Sequence, residues 1–192
     1  MTEKKPISTK MQIIETAIGL YKERGYENVS VKDICNRCNL TRGAFYYHFK
    51  SKDEILDNYF LSSDNLAINE ILPLISAKKY IEQFYYFFDM YLERTFIAGH
   101  DIFGQIIKRN IDKSGKIFSP KDINMRKVYS SLIEKAQNAG EILNRTPPDL
   151  LVDTIVYIAD GIALVWCSQN GDFDYVEENK KILDELFKIN IA

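Results

Sequence analysis

The stretch from Ser30 to Lys52, SVKDICNRCNLTRGAFYYHFKSK, constrains this chain more than any other. Val31, Ile34, Cys35 and Cys38 recur at i, i+3, i+4 and i+7, which makes one buried stripe on a short helix. Ser30 stands just before the stripe and Asp33 three residues on, a capping-box start with a shorter acid than usual. Asn39 can take the left-handed conformation that ends a helix. Thr41 then caps a second helix, Arg42 to His48. Phe45 and Phe49 turn inward there, and Arg42, Tyr46, Tyr47 and His48 are left facing out. A helix this short cannot stand alone in water. Its outer face carries a cation, two phenols and an imidazole. That is the layout of a helix-turn-helix, whose second helix enters the DNA major groove. The bland alternative is a helical hairpin with tyrosines exposed by chance.

The rest of the chain reads as helix throughout, nine in all. Thr9 with Gln12 starts the first, which runs to about Arg24 with Ile14, Ala17, Ile18 and Tyr21 as its stripe and Gly25 as a left-handed cap. It closes a three-helix core with the pair above. Ser51 and Glu54 box the start of a fourth helix, Lys52 to about Leu72, stopped by Pro73. Its middle is polar at Asp64, Asn65, Asn69 and Glu70. A fifth helix, about Ala77 to Ala98, closes at Gly99. Its centre, FYYFFDMYL, is apolar nearly all round, so burial on most sides is expected. Such rings either fill a thick core or wall a cavity.

A sixth helix covers about Ile102 to Asn110. Ser119-Pro120 and Thr146-Pro147-Pro148-Asp149 mark the starts of the seventh, to about Ala139, and the eighth, to about Asn170. Asp174 and Glu177 open the ninth, to about Asn190. The eighth is apolar on more than one face, and the ninth carries Val176, Ile182, Leu183, Leu186 and Phe187. Together they exceed what one small domain covers. A twofold four-helix bundle with a second copy accounts for the excess, with Gly161 allowing close approach.

A chain of 192 residues, 46% of them hydrophobic, can build a sizeable core. No apolar run approaches the roughly 20 residues that span a bilayer, and the first ten residues lack the apolar core of a secretory signal. Three cysteines give no disulfide framework, which fits a reducing cytoplasm. The net charge of −2 hides an asymmetry. Residues 1–54 hold ten Lys or Arg against seven Asp or Glu, and the remainder is acidic. A basic end with an acidic body still attracts phosphate locally. An excess of three is modest, so binding should depend on dimerisation and fall with salt.

The run T-R-G-A-F-Y-Y-H-F-K-S-K-D-E-I-L resembles the signature of the TetR family of bacterial transcription repressors, and the likeness covers Thr9 to Leu56. It implies an all-α regulator with a helix-turn-helix domain over residues 1–50 and a ligand-binding and dimerisation domain over 51–192, helix 52–72 being the link. It implies that Arg42 reaches base edges or phosphate and that Gly43 lets the backbone approach the DNA. Ala44 would add a small apolar contact. Tyr46, Tyr47 and His48 would touch phosphates or bases, Lys52 would grip a phosphate, and Ser30 and Lys32 would meet backbone phosphates. Asn39 replaces the usual Gly of the turn, and Cys35 and Cys38 replace small residues.

The same resemblance places a pocket for a small, largely apolar effector among the fifth to eighth helices. Phe84, Tyr85, Phe88, Tyr91, Phe103, Tyr129 and Trp166 are its expected lining. The homodimer seam is expected at Ile158, Gly161, Ile162, Val165, Ile182 and Leu186. The expected partners are operator DNA, the effector and a second copy, with no membrane, no cofactor and no metal.

Five features have a sharp and a bland interpretation. Cys35-Asn36-Arg37-Cys38 could be a redox switch, or two small buried residues; metal would need two further ligands. His100-Asp101 is half of an acid–base pair, or capping chemistry; a third group is missing. Asp160 interrupts an apolar helix and must be paired, meet its counterpart at a dimer seam, or face a ligand. Trp166 and Tyr157 could line a pocket or fill the core, and Arg94 could hold an acidic headgroup or a surface ion pair. With His48 and His100 as the two histidines, no catalytic triad or dyad can be assembled. The competing switch is cysteine oxidation or a protein partner.

Overall fold

Ser8, not Thr9, starts the first helix: its hydroxyl accepts the Met11 N–H at 3.3 Å. In the computed structural model, which describes residues 8–61, 77–112 and 123–189, nine helices follow in order. They are α1 (Thr9–Arg24), α2 (Val31–Cys38), α3 (Arg42–His48), α4 (Lys52–Leu61), α5 (Tyr80–Ala98), α6 (His100–Asp112), α7 (Ile123–Asn138), α8 (Pro148–Ser168) and α9 (Tyr175–Phe187). The expected end of the fourth helix at Leu72, the stop at Pro73 and the start at Ser119-Pro120 lie outside the described residues. So do the polar middle of the fourth helix and the last residues of the ninth.

The N-terminal helices follow their local chemistry. Ile13, Ile14, Ala17, Ile18, Leu20 and Tyr21 of α1 are buried, and α2 and α4 pack against that face. Ser30 and Asp33 form the reciprocal capping box. Asn39 is left-handed at φ 55° and ψ 42°, and Thr41 accepts the Ala44 N–H at 3.1 Å. Gly25 has φ +79° but an extended ψ of 146°, so it is a positive-φ cap rather than the left-handed one expected. The Ser51–Glu54 box is half formed: Ser51 accepts from Glu54, but Glu54 reaches back to the N–H of Lys50.

In the second half, α5 begins three residues later than Ala77. Glu82 accepts the N–H groups of Lys78 and Lys79, and Glu141, sixty residues on, accepts that of Ile81 at 2.9 Å. At the centre of α5 Phe84, Phe88 and Leu92 are buried, the residues from Tyr85 to Phe87 and from Asp89 to Met90 are half-buried, and Tyr91 is exposed, so that stretch is covered on most sides; Tyr80, Phe96 and Ile97, toward the ends, are exposed. The all-round apolar sequence gave no polar contrast from which to read a face.

Helix α8 also departs from expectation. Its 21 residues are long and apolar enough to cross a bilayer by length and composition, which the sequence survey denied. Its inner face, Leu151, Val152, Ile155, Ala159, Ala163 and Trp166, lies in the core. Thr146 makes no cap; Pro147 occupies that position and Pro148 opens the helix. Asp174 caps α9 through the N–H groups of Val176 and Glu177. Helix α9 is latched to α5 at several points: Tyr85 donates to Asp184, Lys180 meets Asp89 at 2.7 Å, and the Phe84 and Phe187 rings touch edge to face.

Candidate functional site

The outer surface of α3 is built from both ends. Phe45 and Phe49 are buried beneath it, with ring centres 6.0 Å apart, so the helix is pinned by its inner edge. The next residues along are therefore driven out. Tyr47 is 85% exposed and Tyr46 55%, and Arg42 and Gly43 are exposed beside them, with Ala44 and His48 half-buried. The Tyr47 and His48 rings meet edge to face. Ser30 and Lys32, at the front of α2, are exposed. Burying two phenols would be favourable, so a surface that holds them out is suited to another molecule.

Gly43 has no reason from within the chain. A side chain there would first meet Thr41 Oγ1 at 3.8 Å, an ordinary contact.

Lys52 departs from expectation. Its ammonium donates to the carbonyls of Tyr26 at 2.9 Å and Val29 at 3.2 Å and lies 4.1 Å above the Tyr26 ring. Turned inward in this way, it does not stand ready to grip a phosphate. No i+3 or i+4 pattern could reveal this, since both partners lie more than twenty residues away in sequence.

The residues expected to line a pocket divide into two groups. Phe84 is in ring contact with Phe88, Tyr85, Tyr129 and Phe187, and Phe88 with Tyr91. Trp166 sits apart. It is buried among Phe96, His100 and Tyr175, and its Nε1–H donates to the Phe173 carbonyl at 3.1 Å. Trp166 is thus a core residue with its polar handle satisfied, not a member of the Phe84 group. Phe103 is buried on α6.

Between the two groups lies a polar centre that spacing did not show. The Tyr91 phenol lies within electrostatic reach of Asp160, Tyr129 and Tyr175, and Tyr175 also within reach of Asp160. Tyr91 leaves part of its ring in solvent while its hydroxyl end is enclosed. Tyr129 donates to the Phe87 carbonyl at 3.2 Å, and Tyr175 is hydrogen-bonded to Thr95. Burial pushes the Asp160 carboxyl up to about 6.

The seam residues are likewise split. Gly161 and Val165 are exposed, but Ile158, Ile162, Ile182 and Leu186 are half-buried within the chain. The outer stripe of α8 includes Leu150, Tyr157 and Leu164, which the sequence reasoning missed. They recur every seven residues, two helical turns, and Tyr157 and Leu164 each lie one position before a residue chosen, Ile158 and Val165. A side chain at Gly161 would meet nothing within 4 Å, so the glycine is not required by this copy's packing.

Cys35 and Cys38 are buried, and burial raises the Cys35 thiol above its ordinary value, which suppresses the reactive thiolate. Asp101 accepts the Tyr26 N–H, so the His100-Asp101 pair is split: His100 packs on Trp166 while Asp101 faces α1 and its loop. Among the described residues no group of three His, Cys, Asp or Glu could hold a metal.

Residues 13–59 match bacterial regulatory proteins of the tetR family. Over that quarter of its length the chain is similar to the TetR family. TetR-family proteins are transcription regulators, not enzymes. The chain is 32% identical over 65 residues to the probable acrEF/envCD operon repressor of Escherichia coli K12, covering 34% of this chain and 30% of that protein. The sequence likeness thus spans under a third of that relative. In fold the TetR likeness extends through nearly the whole chain. A TetR-family regulator from Pectobacterium atrosepticum superimposes with TM-score 0.66 at 21% identity, covering 96% of this chain and 95% of that one. Thermus thermophilus FadR, a TetR-family repressor solved with lauroyl-CoA, does so with TM-score 0.61 at 17% identity, covering 95% and 97%.

Proposed function

We propose that the chain is a cytoplasmic transcriptional repressor that binds a palindromic operator as a homodimer and is released by a small, largely apolar effector. Residues 1–50 form the DNA-binding domain and 51–192 the effector and dimerisation domain. The observation that carries this reading is the outer face of α3, where Arg42, Tyr46 and Tyr47 project from a helix anchored by Phe45 and Phe49. His48, Ala44, Ser30 and Lys32 extend that face. The needless glycine at 43 makes sense if a DNA backbone approaches from outside.

The apolar outer stripe of α8 supports a second copy as partner. Leu150, Tyr157, Gly161, Leu164 and Val165 lie on the free side of a helix whose other side is core. A twofold pairing there would hold two α3 helices one DNA turn, about 34–36 Å, or a larger spacing apart.

The effector site is proposed between the two aromatic groups, around Tyr91, Tyr129, Tyr175 and Asp160, with Phe84 and Phe88 as apolar wall. The lauroyl-CoA held by the Thermus protein is a ligand with a long apolar part, which supports an apolar effector here. An effector preferring the released form about 100-fold supplies roughly 2.7 kcal/mol of coupling.

Fluorescence anisotropy on duplexes from the chain's own upstream region tests the DNA reading. Salt-sensitive binding by the dimer is expected. A folded dimer that binds none of them at low salt would remove it.

A further inference from the structure

The place Lys52 occupies is one corner of a larger junction. Lys52 holds the Tyr26 and Val29 carbonyls, and the Tyr26 hydroxyl donates to Asp53. Asp53 in turn meets the Arg109 guanidinium at 2.5 Å, and Asp57 meets it at 2.8 Å. Asp101 accepts the Tyr26 N–H at 3.4 Å. Arg109 is only 12% exposed. Tyr26 lies in the loop between α1 and α2, four residues before the Ser30 cap. Asp101 and Arg109 both stand on α6, which packs on α5 and α8 and buries Ile102, Phe103 and Ile106.

A nearly buried guanidinium between two carboxylates is a poor source of stability but a strict source of geometry. Its planar fork fixes the direction of both partners, which an ammonium cannot do. Here one of those partners fixes a phenol, and the carbonyl of the same residue, Tyr26, accepts the Val29 N–H at 3.3 Å, one residue before the Ser30 cap of α2.

We propose that Arg109 and Tyr26 are positioning residues for DNA recognition: through Asp53 they hold the loop that launches α2, so that α6 sets the attitude of the α2–α3 pair directly. This rests on the DNA-binding reading above. It gives α6 a route to the recognition face through five residues of loop, in addition to the length of α4. Neither residue touches DNA.

The test uses the full-length wild type, Tyr26→Phe, Arg109→Gln and the double variant. Binding is measured to a duplex that the wild type selects from a random-sequence pool, and hydrogen exchange is followed at residues 25–30 without DNA. Each single change is expected to weaken binding about 5- to 20-fold and to speed exchange in the loop. The double variant is expected to be no weaker than the worse single, because both act through Asp53. Losses that multiply, or an Arg109→Gln loop exchanging at the wild-type rate, overturn the proposal. Tyr26→Phe removes one hydroxyl and keeps the result readable if Arg109→Gln folds poorly. If the wild type selects no duplex, the DNA reading falls, and the exchange arm still decides whether Arg109 holds the loop.

Discussion

Tyr47 is the clearest single residue to test, because the fold asks nothing of it. Tyr47→Ala should weaken DNA binding by on the order of tenfold, about 1.4 kcal/mol, with the melting temperature within a degree or two of wild type. Paired anisotropy and thermal scans check both halves. Asp160 offers a different test. A carboxyl whose folded value is raised to about 6 is more protonated in the folded chain than in the unfolded one between about pH 4 and 6. Stability should therefore fall as pH rises through that window and level off above it. Asp160→Asn should remove the slope and gain on the order of 1–2 kcal/mol at pH 7, allowing for partial exposure. Urea denaturation at pH 4.5 and 7.5 checks it; equal slopes in both proteins would count against the burial argument.

At the level of single helices, what could be read from the sequence was what lies within four residues. Ser30, Asn39 and Thr41 each bond to a near neighbour, so the bounds of α2 and α3 were legible residue by residue. Ser30→Ala should accordingly cost about 1 kcal/mol of stability through loss of the cap, measurable by urea denaturation. What was not legible was set by distant partners. Lys52 finds carbonyls on another loop, Glu141 caps a helix sixty residues earlier, and Arg109 crosses to α4. Nor could the aromatic run of α5 declare its inner side, since Phe or Tyr stands at every position from 84 to 88. Its size left Trp166 open between a pocket and the core; the Phe173 carbonyl that its Nε1–H meets comes into view only with the turn after α8 in place.

For the molecule as a whole, the free side of α8 predicts a concentration-dependent dimer. Tyr157→Asp should dissociate it in sedimentation experiments, since a carboxylate in the centre of an apolar seam is unpaired. DNA binding should fall with it while the separate chain stays helical by circular dichroism. Thiol chemistry offers a second whole-molecule test. With Cys35 and Cys38 buried and burial raising Cys167 to about 11, the native protein should react slowly with a disulfide reagent at neutral pH and quickly once unfolded. Rapid native labelling at the α2 pair would instead favour an oxidative switch.

The ties between α9 and α5 bear on how two such chains would behave together. Tyr85, Asp184, Lys180 and Asp89 make one wall of the aromatic region and one side of the proposed seam into a single rigid piece. An occupant that nudges α5 in one half therefore tilts the surface against which the other half rests. The pair should fill cooperatively, with the first molecule bound altering the welcome given to the second.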